Sequence, residues 1–84
     1  MKFSAEVRVT LKEGIADPQG QTIQRALPAL GFEGVNDVRV GKHIELTVEA
    51  EDEDEADRQV REIAIRVLSN PVIEDVRVLS SEEV

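Results

Sequence analysis

Three features of the chain point to one architecture. Apolar residues alternate strictly through Phe3–Leu11 and again at Ile44, Leu46 and Val48. Apolar residues recur at helical spacing after Asp17 and after Asp52, and one hexapeptide pattern occurs twice. Together they predict an α+β fold: a ferredoxin-like βαββαβ unit, with a four-stranded antiparallel sheet and both helices on one face.

In chain order, Phe3, Ala5, Val7, Val9 and Leu11 alternate with mostly polar neighbours. That is the pattern of a strand with one buried and one wetter face. Asp17-Pro18 opens the first helix. An N-cap carboxylate accepts from free amides one turn on, and proline at the first helical position loses no hydrogen bond. Ile23, Ala26, Leu27 and Leu30 form the apolar stripe, and Gly31 is the expected stop. Pro28 interrupts this run and predicts a kink or a loosened last turn.

Val35–Val40 and His43–Ala50 read as the second and third strands of a central hairpin turning at Gly41-Lys42-His43. Its register presents a choice. A two-residue turn sets Val38 and Val40 on the opposite face from Ile44, Leu46 and Val48. Either the loop is odd in length, which hairpin preferences favour, or a second apolar surface is covered by a partner chain.

Glu51–Glu55 is an acidic run leading into the longer helix. Such residues complement a helix N-terminus, and Asp52 with Glu55 resembles a capping box. Ala56, Val60, Ile63, Ala64 and Val67 form the stripe, with Asp54/Arg58, Asp57/Arg61 and Glu62/Arg66 as exposed acid-first pairs. A solvated face explains these charges better than a cation or partner site. Ser69-Asn70-Pro71 ends the helix, Val72–Leu79 reads as the fourth strand, and residues 80–84 as a flexible tail.

Val35-Asn36-Asp37-Val38-Arg39-Val40 aligns with Ile73-Glu74-Asp75-Val76-Arg77-Val78 at an offset of 38 residues, 73 less 35. Ala26 with Ala64 and Leu30 with Leu68 share that offset. The 84 residues therefore form one domain, 1–84, with pseudo-repeated halves 1–42 and 43–84. The uncovered sheet face and the edge strands are where a second copy would attach.

Composition narrows the function. With no Cys, Trp or Tyr, the core rests on aliphatic residues, and a chain this short buries only about 60–65% of its unfolded surface. Oligomerisation is a common remedy. The net charge is −8: residues 1–42 carry six basic and five acidic groups (+1), and residues 43–84 four and thirteen (−9). An acidic surface without aromatic platforms disfavours nucleic acid. No apolar run suits a membrane span and no signal-peptide core precedes the first strand, so the expected location is the cytoplasm.

Chemistry is sparse. The sole imidazole, His43, has no cysteine beside it and sits at a hairpin turn, so neither a triad nor a thiolate metal site can be composed. The EF-hand loop and the phosphate-binding glycine loop are both missing. No catalytic, cofactor or metal residues are expected. The residues describe a binding or assembly module, with a stand-alone small-molecule-binding regulatory domain of the same fold as the alternative.

Three segments extend this reading. Val9-Thr10-Leu11-Lys12, Gly14 and Asp17-Pro18-Gln19-Gly20 come first. Asp37-Val38-Arg39, Gly41-Lys42 and Ile44-Glu45-Leu46 follow, and then Leu68 and Asn70-Pro71-Val72-Ile73-Glu74-Asp75. In this order and spacing they resemble the PurS family, the small subunit of phosphoribosylformylglycinamidine synthase. The resemblance covers nearly the whole chain. It implies a non-catalytic, homo-oligomeric subunit (homodimer or homotetramer) of ferredoxin-like fold. Such a subunit bridges an ATP-dependent synthetase large subunit and a glutaminase subunit in purine biosynthesis. It binds no cofactor of its own, and the partner synthetase uses ATP and Mg. On this reading Val38, Val40, Arg39, Lys42 and His43 of the central hairpin are the candidate subunit interface. Arg39 alternates with the valines and is either a solvated cation or an interface contact.

Overall fold

The N-terminal alternation builds the centre of the sheet. A computed structural model describes all residues, Met1–Val84. Strand β1 (Lys2–Leu11) is flanked by β2 (Gly41–Glu49) and β3 (Glu74–Glu83), both antiparallel to it, in the order β2-β1-β3. Phe3, Ala5, Val7 and Val9 of β1 are buried. Opposite them in the β1–β2 ladder stand Val48, Leu46, Ile44 and Lys42.

Helix α2 (Glu53–Ile63) covers this face, continued by a π-helical turn over Ala64–Leu68. Ala56, Val60 and Ala64 are fully buried at four-residue spacing. Val60 and Ala64 sit close on Val7 and Val9, Ala56 packs with Phe3 and Ala50, and half-buried Ile44, Leu46, Val76 and Val78 close the core. The N-terminus of α2 is capped as its sequence predicts, with Asp52 Oδ1 accepting from the Glu55 amide at 2.8 Å. The reciprocal bond runs from the Glu51 amide to the Glu55 carboxylate. Two of the three exposed pairs form, Asp57–Arg61 and Glu62–Arg66.

Helix α1 (Pro18–Ala26) also starts as expected. Asp17 Oδ1 accepts from the Gly20 amide at 3.0 Å and Pro18 occupies the first turn. The helix gives way before Pro28 to a 3-10 turn over Pro28–Leu30, which Gly31 ends with φ 95°. The proline and glycine thus act as their chemistry dictates.

The architecture differs from the expected four-stranded ferredoxin-like βαββαβ sheet in two respects. The sheet has three strands, because residues 32–40 join no ladder. Their polar backbone is held elsewhere. The Val40 amide donates to Asp17 Oδ2 at 2.7 Å, and the Asn36 carbonyl accepts from Gln24 at 2.9 Å. The second difference is that only one helix covers the sheet. Among the residues of α1 only Gly20 is buried, and none of its side chains enters either core cluster.

The hairpin choice is settled by neither alternative, since Gly41-Lys42-His43 opens β2 and does not turn. Gly41 lies against β1, where a β-carbon would fall 2.6 Å from the Val9 carbonyl oxygen. The two matching hexapeptides therefore adopt different structures. Residues 80–83, expected in a flexible tail, extend β3, and a bulge facing Glu6/Val7 shifts its register.

Candidate assembly surface

Asp17 organises the region between α1 and the sheet. It is 7% exposed, and its two carboxylate oxygens bind separate segments: Oδ1 the first turn of α1, Oδ2 the backbone of Val40. The Gly20 and Val40 amides, with the Arg39 charge assisting, hold its pKa below 3.8, against the opposing effect of burial. Gly20 makes the close approach possible. A β-carbon there would stand 2.2 Å from the Val38 carbonyl oxygen.

This tie leaves Val38 and Val40 half-buried beside α1, away from α2. Val40 joins Pro18, Thr22 and Ile23 in an open groove of about 460 Å³. Around it the apolar residues of the first half are left uncovered: Ile23 is 46% exposed, Leu30 70%, Phe32 58% and Val35 41%. The outer edges of β2 and β3 pair with nothing within the chain.

The basic members of the expected interface lie on the far side of the same segment. Arg39 donates to the carbonyls of Leu11 and Lys12, which holds its guanidinium against the end of β1. Arg39, Lys42 and His43 line a cleft of about 370 Å³ together with Arg8, Thr10 and Gly41. The structure thus divides the five expected residues into an apolar group beside α1 and a basic group around a cleft.

Three features of these surfaces escaped sequence reading. The second bond of Asp17, to Val40, spans 23 residues and leaves no local signal beyond the N-cap pattern. Arg8 reads as an ordinary polar position in an alternating strand, and only the β1–β2 register sets it opposite His43. Glu6, His43 and Glu45 also converge on the open sheet face, with ligand-capable atoms within 4.8 Å of one another.

Fold and site together define a small α+β protein that buries one helix on a three-stranded sheet and leaves another helix and a strand-length segment uncovered. Comparison with known proteins gives it a family. Residues 4–82 match the model for PurS, phosphoribosylformylglycinamidine (FGAM) synthase. The chain is 45% identical over 75 residues to the synthase subunit PurS of Bacillus subtilis, covering 89% of this chain and 88% of that one. With the subunit from Methanocaldococcus jannaschii it is 41% identical, covering 90% and 92%. Among solved structures, Thermus thermophilus PurS superposes with a TM-score of 0.88 at 34% identity, over 100% and 99% of the two chains. A chain of the PurLQS structure from Thermotoga maritima superposes with a TM-score of 0.84 at 35% identity, over 93% and 95%. The chain belongs to the PurS family.

Proposed function

We propose that this chain is the small subunit of a phosphoribosylformylglycinamidine synthase in purine biosynthesis, where it joins the ATP-dependent synthetase subunit to the glutaminase subunit. The observation that carries this is the end-to-end likeness to PurS chains, one of them from a structure named PurLQS. ATP and Mg are used by the synthetase subunit, and the complex works in the cytoplasm. Reconstitution tests the role. The two larger subunits are assayed with and without this chain, with glutamine and then with ammonia as nitrogen donor. Omission should abolish the glutamine-dependent rate and spare more of the ammonia-dependent one. Equal glutamine-dependent rates in both mixtures refute the role.

The same reading includes self-association. Residues 35–40 carry a strand-like sequence without a ladder, and the outer edge of β2 is a strand without a neighbour. A second copy can match one to the other, with its apolar surface covering Ile23, Leu30 and Phe32. No helix is long and apolar enough to cross a membrane. Light scattering behind size exclusion should give a mass of two or four chains. A monomer at micromolar concentration overturns this part and leaves the bridging role to be judged by its own assay.

A further inference from the structure

We infer that the basic cleft at the β1–β2 end of the sheet is a binding site for the phosphate group of a small molecule. The cleft stands apart from the apolar groove, and the inference does not depend on the assembly role.

Register makes the site. His43 of β2, Arg8 of β1 and Arg77 of β3 face one another across the three strands and form one row on the open face. Arg39, the Thr10 hydroxyl and the Gly41 backbone complete the wall, and Lys42 borders it from the ladder position opposite Val9, at the edge of the helix-covered face. Arg8 and Arg77 are like charges directly opposite in a ladder, an arrangement that destabilises a sheet unless something neutralises it. Glu6 and Asp75 stand on the same face beside the row, but neither forms an ion pair with these arginines, and Asp75 is taken by Lys12. Arg8, Arg39, Lys42 and Arg77 form no ion pair, although acidic residues outnumber basic ones 18 to 10, and only His43 of the cluster has an acidic partner, Glu45 at 3.5 Å. An anion held here relieves that repulsion.

The lining decides which anion. No hydrophobic side chain borders the cleft. A docked acidic segment draws most of its affinity from apolar anchors in desolvated pockets, and this wall offers none. A phosphate needs no anchor. Its oxygens accept from several donors at once, and the planar fork of Arg8, the Arg39 nitrogens left free by its bonds to Leu11 and Lys12, the Lys42 charge at the rim and the Thr10 hydroxyl provide them. The acidic remainder of the surface, net charge −8, repels large polyanions and leaves the cleft to a compact one.

The test is an amide-resolved NMR titration of the full chain with inorganic phosphate, with ionic strength held constant by sodium chloride. Saturable shifts at Arg8, Thr10, Gly41, Lys42 and His43 are expected. Arg8→Gln and Lys42→Gln should each weaken binding about tenfold while the spectrum stays folded, and the remote Arg25→Gln should not. Ribose 5-phosphate shifting the same amides more tightly than phosphate identifies a sugar phosphate as the occupant. Phosphate binding alone identifies the free anion. Absence of saturable shifts, unchanged wild-type affinity in both cleft variants, or tighter binding by an oligoglutamate peptide overturns the inference.

Discussion

One buried carboxylate bonds both of the parts of the chain that the core leaves out. Asp17 caps α1 and fixes Val40, and the charged form makes both bonds. Because its folded pKa is depressed, the stabilisation is complete above the ordinary value near 3.8 and is lost as pH falls through the lower folded value. Hydrogen exchange at the Gly20 and Val40 amides should therefore hold steady down to about pH 4 and accelerate below it. Asp17→Asn should remove the protection of Val40 at neutral pH, and unchanged protection would refute the tie. Gly20→Ala tests the same contact sterically. Its β-carbon would need the space of the Val38 carbonyl 2.2 Å away, so residues 38–40 should detach from α1 and the Val40 amide signal should shift.

The elements divide between those stabilised within the chain and those left for a partner. Val60 lies fully buried between α2 and β1. Val60→Ala should lower stability by about 2 kcal/mol in urea unfolding, from two lost methyl-sized groups plus the cavity they leave. The slope against urea should not change. Ile23 on α1 is 46% exposed and calls for the opposite pattern. Ile23→Asp should leave the helical circular dichroism signal in place and reduce the solution mass towards one chain. A core-like loss of stability with the mass unchanged would show α1 to be covered by its own chain. The Asp17 and Asp52 caps, the break at Pro28 and the stop at Gly31 were readable in sequence because each acts within one turn of backbone. The end of β3 was not, because residues 80–83 are held by pairing with the start of β1, some eighty positions away.

At the scale of the molecule, the chain is elongated. The chain measures 52 × 27 × 14 Å, with a radius of gyration of 16.4 Å. A compact domain of this length has a radius of about 12 Å. The excess comes from α1 and residues 32–40, which lie off the end of the sheet and bury little. A chain that gains its missing burial from copies of itself should show a thermal midpoint that rises with protein concentration. A midpoint independent of concentration over two decades would count against self-association.

The alternation of β1, the Ala56, Val60 and Ala64 positions of the α2 stripe and the caps were determined by sequence, since they depend on side-chain period and on bonds within a turn, whereas Val67 of the same stripe is 75% exposed past the end of α2. The PurS motifs were equally legible. The destination of Val35–Val40 could not be read there. Its composition suits a strand, but a strand needs a neighbour, and the neighbour is set by which backbone groups are already taken. Tertiary structure decided that Asp17, Gln24 and Gly20 hold this segment beside α1, and that Gly41 continues the chain along β1. It also brought Arg8 and Arg77, isolated positions 69 residues apart (77 less 8), into one row with His43. Register is a property of paired strands, and a single strand's sequence does not contain it.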